Sequence, residues 1–439
     1  MNFTVNRALS VDYRAPQELF LDPKNPRRHT PQQVEQIARS IQTFGFTNPV
    51  LVDRTGKVIA GHGRLAAAET LKLEAVPVIA LEDLSPSQAR AYLIADNRLA
   101  EHATWDRELL AENFALLSQE DLTFDLTVTG FELPEIDMLL NDEEAGVDPD
   151  DIPIKPGPAV SRLGDIWQCG PHRVVCGDAL DPEALEVLMQ GEKASVVFTD
   201  PPYNLKVSDI SGLGKRQHRE FAFASGEMSS TTFTDFLQRA MTQLAAHSVE
   251  GAIHYVCMDW RHMVELQAAA APVYSELKSL VVWAKEAGGM GSLYRSQHEL
   301  IFIYKVGKGA HRNNIQLGRF GRNRTNVWQY SAPRKFGSDN EGDLLAEHPT
   351  PKPVAMIADA LMDVSNRGEI VLDTFLGSGS TLIAAERVGR IARGVELDPQ
   401  YVDLTIRRWQ RQTGRSAIHT QLQCTFNELA EYRSGENHE

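Results

Sequence analysis

The feature that most constrains this chain is an apolar run, Ala194 to Phe198, stopped by Asp200-Pro201-Pro202-Tyr203. A short apolar run bounded by proline reads as a buried strand. Two consecutive prolines cannot extend it, because each lacks an N–H and has its φ locked. The strand therefore ends in a rigid loop, and in an open α/β sheet that loop lies at the carboxyl edge, where ligands bind. Further along, Ile370 to Asp373 reads as another strand and Leu382 to Val388 as the helix after it, ended by Gly389. A third strand runs to Gly394-Val395-Glu396-Leu397. Strand and helix patterns alternate over about residues 151–430, as they do in doubly wound α/β proteins.

The turn between the second strand and its helix is Asp373-Thr374-Phe375-Leu376-Gly377-Ser378-Gly379-Ser380-Thr381. Close glycines let backbone approach a ligand. An acid about 20 residues on, here Glu396, suits ribose hydroxyls. The third glycine of a dinucleotide fingerprint is missing, with Leu382 in its place. That gap favours S-adenosylmethionine, which has no phosphate to cradle, over NAD.

The chain has 439 residues, enough for two or three domains. With 42% hydrophobic and 23% charged residues, wholesale disorder is excluded. No apolar run approaches the ~18 residues of a membrane span, and the N-terminus lacks the apolar core of a signal peptide. Four cysteines in such a length point to a reducing compartment, so a cytoplasmic location is expected.

Three segments separate. Residues 12–103 form a small α/β unit. Thr30 is expected as the N-cap of its first helix, Pro31 as the first helical residue, Gln33 as capping-box partner and Gly45 as the stop. Residues 104–160 read as helices followed by a solvated hinge, with six acids between Asp142 and Asp151 and then three prolines. Residues 161–430 hold the strand-and-helix alternation. Within them, about 305–340 is distinctive. Lys305, Lys308, Arg312, Arg319, Arg322, Arg324, Arg334 and Lys335 follow one another without an intervening acid, in a chain of net charge −15. Cys169, His172 and Cys176 lack a fourth ligand nearby, so no metal site is expected. None of the four cysteines follows a proline.

Segment 161–410 resembles the amino-group DNA methyltransferases of the permuted β order, with DPPY before FxGxG. The matching stretches are Gly177-Asp178-Ala179-Leu180, TDPPYN, WAKEAGGMGSLYRSQHE, HPTPKP at His348 to Pro353, DTFLGSGST and GVELDPQY. The resemblance implies a Rossmann-like S-adenosylmethionine-dependent methyltransferase fold and double-stranded DNA as substrate. It implies an exocyclic amine as acceptor: N6 of adenine, since Asp rather than Ser opens the PPY motif, with N4 of cytosine as the alternative. Such an amine is a poor nucleophile because its lone pair is delocalised into the ring. Asp200 and the Pro201 carbonyl would hold its N–H groups, Pro202 would stiffen the loop, and Tyr203 would stack on a flipped base. By the same resemblance Asp178 lies near the cofactor's adenine and Glu396 on its ribose. Asp373, Thr374, Phe375, Gly377, Ser378 and Gly379 form its pocket, and Lys352 faces its methionine end. Target recognition falls in the basic stretch, through Lys308, Arg312, Arg319, Arg322 and Arg324.

A second resemblance, over about 17–101, is to the ParB/sulfiredoxin-type N-terminal domain. It rests on Asn25-Pro26-Arg27-Arg28, Gly61-His62-Gly63-Arg64 and the ADNRLAE tail. It makes His62 and Arg64 candidates for a nucleotide site, with a DNA-contacting or structural accessory domain as the favoured reading. The box contains no cysteine, so sulfiredoxin chemistry is excluded. A homodimer is compatible with this organisation. Two other readings stay open: a ParB-like DNA-binding protein whose methyltransferase fold is inactive, and methylation of RNA or protein.

Overall fold

Thr30 Oγ1 accepts the amide of Gln33 at 3.2 Å, and Gly45 closes the helix at φ +81° with its N–H on Ile41 O. The N-cap and the stop thus stand where the sequence put them. The capping box is incomplete: Gln33 Oε1 meets the ring of His29 at 3.0 Å instead of turning back to Thr30. This is a computed structural model of the chain. It describes residues 9–100, 102–120, 123–141, 149–150, 158–204, 226–286, 288, 293–318, 322–331 and 351–436.

The chain divides into two compact units, Met1–Leu140 and Asn141–Glu439. In the first, a four-stranded sheet has the order β1-β4-β2-β3. Its strands are β1 (Asp12–Arg14), β2 (Val50–Val52), β3 (Val58–Ala60) and β4 (Val76–Ala80). Helices α1 (Pro31–Phe44), α2 (His62–Thr70) and α3 (Pro86–Ala100) accompany it. Leu19, Val50, Val52, Val58, Leu65 and Val78 make its core. The next helices, α4 (Arg107–Gln119) and α5 (Leu133–Asn141), pack on each other through Phe114, Ile136 and Leu139. This region is also tied to α1. Phe44 packs edge-on to Phe124 at 5.7 Å, and Gln32 donates to Glu132 at 2.8 Å. The hinge expected after it lies outside the described residues, apart from Pro149, Asp150 and Pro158.

In the second unit a ten-stranded sheet has the order β11-β9-β10-β8-β7-β12-β13-β6-β5-β14. In chain order its elements are β5 (Ile166–Cys169), β6 (His172–Cys176), α6 (Pro182–Met189), β7 (Ala194–Thr199), α7 (Ser230–Ala246), β8 (Ser248–Met258) and α8 (Met263–Ala270). There follow β9 (Glu276–Ala284), β10 (His298–Lys305), β11 (Val327–Gln329), α9 (Val354–Val364), β12 (Ile370–Asp373) and α10 (Ser380–Arg387). The unit closes with β13 (Ile391–Glu396), α11 (Pro399–Thr413), β14 (Ile418–His419) and α12 (Phe426–Glu436). Alternation along β7 splits its side chains between two faces. Val196 and Phe198 join the core under α9, α10 and α11, while Val197 joins the one under α6. The result is the three-layered, doubly wound fold that the alternating pattern predicts.

β7, β12, β13 and β6 run parallel side by side. After β7 the chain crosses to β8 on one side, and after β12 to β13 on the other. The order therefore reverses between β7 and β12, the place where a crevice opens outside the carboxyl ends.

Trp409 anchors the core on the α11 side. It is fully buried and its Nε1 donates to Glu386 Oε2 at 2.9 Å. Trp409→Ala is expected to remove about 3–5 kcal/mol of stability, read as a lowered midpoint in urea unfolding followed by circular dichroism.

Candidate active site

Four loops leave the carboxyl ends of the four parallel strands, and each bears residues singled out in the sequence. Asp200 to Tyr203 follow β7, Thr374 to Gly379 follow β12, Glu396 ends β13 and Asp178 follows β6. One hydrogen-bonded node joins the first two. Thr199 Oγ1, at the end of β7, donates to Asp373 Oδ1 at 2.9 Å. The Phe375 amide reaches the same oxygen at 3.1 Å, and Thr381 Oγ1 donates to Oδ2 at 2.7 Å. Asp373 is 3% exposed and both its oxygens are taken. It orders the turn, whereas the sequence reading placed it among the pocket residues. Burial pushes its carboxyl up to about 6, against the lowering effect of these donors.

The glycines of the turn have distinct reasons. Gly377 has φ +54° with open space where a side chain would project, so its backbone can meet a ligand. Gly379 has φ +84°, and an added Cβ would stand 2.7 Å from Thr405 of α11. Arg408, also on α11 and fully buried, donates to Ser378 O and Ser380 Oγ at 3.1 Å. Sequence reading did not single out Thr405 or Arg408. Both come from a helix far along the chain, and no local pattern ties them to the turn. Thr374 is buried, and its Oγ1 has no hydrogen-bond partner among the described residues. Phe375 is half-buried against Phe236 at 5.9 Å.

Glu396 faces this turn. Its Oε2 accepts the Gly377 amide at 2.7 Å and its Oε1 the Asp398 amide at 2.8 Å. Burial pushes its carboxyl up to about 7, and the negative charges of Asp398 and Asp373 push the same way. Asp178 is exposed and holds the Leu180 amide at 2.9 Å.

On the other side of the node stands Asp200. The Tyr203 hydroxyl donates to its Oδ1 at 2.5 Å, and Lys352 Nζ bonds its Oδ2. Pro201 is buried. Asn204, at φ +52°, fixes the loop by accepting the amides of Gly226 and Met228 at 3.1 Å. Lys352, expected toward a cofactor's methionine end, is thus brought against Asp200. It also lies 3.0 Å from Glu299 Oε2. Neither Glu299 nor its neighbour Lys285 was marked by the sequence as more than part of a matching stretch.

The basic stretch is dispersed. Arg322, 7% exposed, pairs with Asp359 at 3.1 Å and Asp363 at 2.6 Å, both on α9. Arg324 pairs with the same two carboxylates at 2.9 and 2.8 Å and stacks over Trp328 at 4.6 Å. These two arginines clamp a helix, so the expectation that they contact DNA is corrected. Lys308 and Arg312 are exposed, and Arg312 pairs with Glu369 at 2.9 Å. They follow the carboxyl end of β10, which runs antiparallel to β8 and hence to β7. That puts them at the edge opposite Asp200, about 23 Å away along an eight-residue strand. Arg319, Arg334 and Lys335 lie outside the described residues, as do His348 to Thr350.

His172 is committed elsewhere. Its Nδ1 accepts the Ala392 amide at 2.8 Å, so its Nε2 carries the proton and donates to Glu386 at 2.7 Å. Among the described residues no group of three or more His, Cys, Asp or Glu could hold a metal ion, and no helix is long and apolar enough to cross a membrane. In the first unit, His62 and Arg64 share the start of α2 after Gly61 at φ +99°. Arg64 Nη2 donates to Pro49 O at 3.3 Å, while His62 Nε2 and Arg64 Nε are buried without a hydrogen bond among the described residues. Burial, and next the charge of His29, lower the pKa of His62.

Residues 194–407 match the family profile of the N6/N4 type described as DNA methylase. Residues 108–163 match the ParB-methyltransferase HTH domain and 8–97 the ParB N-terminal domain. The chain is similar to the ParB-like nuclease domain-containing protein YnaK of Escherichia coli K12, 49% identical over 84 residues, which covers 19% of this chain and 97% of that protein. It is similar to the type II methyltransferase M.HpaI of Haemophilus parainfluenzae, 23% identical over 279 residues, 59% of this chain and 81% of that one. The DNA adenine methyltransferase YhdJ of Escherichia coli K12 is 24% identical over 260 residues, 54% of this chain and 81% of that one.

The buried carboxyl of Glu396 makes stability depend on pH. Its ordinary value is 4.5 and its folded value about 7, so between them the folded chain holds a proton that the unfolded chain has released. Stability then falls as pH rises through that window. Glu396→Gln is expected to remove this group's part of the decline, most visibly between about pH 6 and 7, leaving the parts due to Asp373 and Asp363, whose carboxyls burial pushes up to about 6; urea unfolding at a series of pH values measures it.

Proposed function

We propose that this DNA methyltransferase of the N6/N4 family, built behind a ParB-type N-terminal domain, moves the methyl group of S-adenosylmethionine to N6 of adenine in double-stranded DNA. The observation that carries the reading is the node of Thr199, Asp373 and Thr381. It joins a loop suited to hold an amine to a turn suited to hold a nucleoside. The likeness to YhdJ, whose name states adenine, supports adenine over N4 of cytosine.

The residues present fit the cofactor. Gly377 leaves open space beside its backbone, Glu396 offers carboxylate oxygens to ribose hydroxyls, Phe375 and Ser378 belong to the same turn, and Asp178 follows β6, the strand paired with β13. Buried Thr374 leaves its hydroxyl free of protein partners among the described residues. Bound there, S-adenosylmethionine supplies an electrophilic methyl group on a sulfonium.

The protein's part is to make the amine nucleophilic. Asp200 accepts one N–H and the Pro201 carbonyl the other, so the nitrogen pyramidalises and its lone pair leaves the ring. These acceptors count because positive charge develops on the nitrogen as the methyl arrives. One of the two protons on the methylated nitrogen then passes along its hydrogen bond to the Asp200 carboxylate and from there to solvent, leaving the product amine neutral. Tyr203 stacks on the base, which must be out of the duplex to reach Asp200. Leu293 and Tyr294, 83% and 84% exposed, lie with exposed Arg295 on the β9–β10 connection at this same edge. We read that tip, rather than Lys308 and Arg312, as facing the duplex. The helix-turn-helix profile over 108–163 supports a DNA-contacting role for the segment that begins with α4 and α5.

The test is modification-sensitive long-read sequencing of DNA from a methylation-deficient host expressing the wild type or Asp200→Ala. Modified adenine within one sequence context, present with the wild type alone, is the expected result. Modified N4-cytosine would keep the chemistry and overturn the base. Equal modification with folded Asp200→Ala would overturn the mechanism.

A further inference from the structure

A chain of alternating charge stands behind Asp200 and has no part in the steps above. Lys285, just past β9, bonds Glu299 on β10. Glu299 lies 3.0 Å from Lys352 Nζ, and Lys352 bonds Asp200 Oδ2. Lys352 is 7% exposed and Glu299 16%. Two cations and two anions sum to zero, so the group is neutral as a whole, with Lys352 and Glu299 at its centre the most desolvated.

The reaction makes that neutrality matter. The amine must donate into Asp200, and its nitrogen becomes more positive as the methyl bond forms. An ammonium that gave its whole charge to Asp200 would compete for the carboxylate's lone pairs and repel the developing cation, strongly so where water is excluded. Glu299 draws part of that charge away and fixes the ammonium on one side. Lys352 is also 5.7 Å from the centre of the Tyr203 ring, so its position bears on the stacking residue too.

We infer that Lys352 is the fixed partner of Asp200 rather than a cofactor ligand, and that Glu299 is a positioning residue holding it on Oδ2. Oδ1 is then the oxygen left to the base amine once the Tyr203 hydroxyl yields it. Lys285 holds Glu299 in turn. This rests on the methyl-transfer reading.

The experiment is steady-state methylation of DNA by the purified full chain with labelled S-adenosylmethionine, alongside calorimetric binding of that cofactor. Two variants separate charge from shape, since Glu299→Gln keeps the size and loses the charge while Glu299→Asp keeps the charge and withdraws it. Glu299→Gln is expected to lower kcat about 10- to 100-fold with cofactor affinity unchanged, and Glu299→Asp to lose less. Wild-type kcat in Glu299→Gln overturns the inference, as does an Asp variant worse than the Gln variant. A loss of cofactor affinity in Glu299→Gln also overturns it, by returning Lys352 to the cofactor. Should the neutral variant fail to fold, Lys285→Met loosens Glu299 from the more exposed end. A smaller kcat drop with unchanged cofactor affinity is expected there, and no drop refutes the relay. A wild type that methylates no DNA sinks the underlying reading, whereas an active wild type with indifferent variants sinks the relay alone.

Discussion

Everything at the carboxyl edge depends on one buried carboxylate. Asp373 takes Thr199 from β7, Thr381 from α10 and the Phe375 amide from its own turn. A carboxylate so enclosed is costly unless each lone-pair direction is used, and here the donors come from both sides of the switch point. The bond to Thr199 fixes the exit of the Asp200 loop relative to the glycine turn. The bond to Thr381 sets the first turn of α10, whose cap, Gly379, lacks a side chain to do so. The two halves of the site are thus set by one group rather than adjusted independently, which suits a reaction that needs two ligands held within bonding reach.

How much of this could be read beforehand follows from which interactions are local. The strand before Asp200, the glycine turn, Glu396 and the α1 cap are written in contiguous residues, so periodicity and turn chemistry found them. Thr405, Arg408, Glu299 and Lys285 act across the fold from positions with ordinary local context. Arg408 reaches Ser378 from 30 residues away, and Lys352 reaches Asp200 across 152. No periodicity encodes such distances. The capping box failed for a different, local reason: His29, four residues before Gln33, offered it a partner that the motif does not consider.

The basic stretch shows the limit of composition as a guide. A run of cations without acids in sequence says nothing about acids in space. Arg322 and Arg324 find Asp359 and Asp363 on α9, whose order in the chain comes later. The pairing keeps Asp363 in a site where burial pushes its carboxyl to about 6 despite two guanidiniums. Guanidinium suits such a place, since its planar fork satisfies two carboxylates while its face covers Trp328.

Net charge is then a poor guide to the substrate as well. At −15 the chain as a whole repels a polyanion, but screening confines that repulsion to roughly 10 Å. What decides contact is the charge at the edge where the base enters. There the four groups Lys285, Glu299, Lys352 and Asp200 cancel, so Asp200 does not present a bare negative charge at that edge. On the proposed reading, the arrangement that tempers Lys352 for an amine also lowers the electrostatic objection to DNA at the mouth of the site. One network meets both demands because both ask for the same thing, an anion that accepts hydrogen bonds without dominating the field around it.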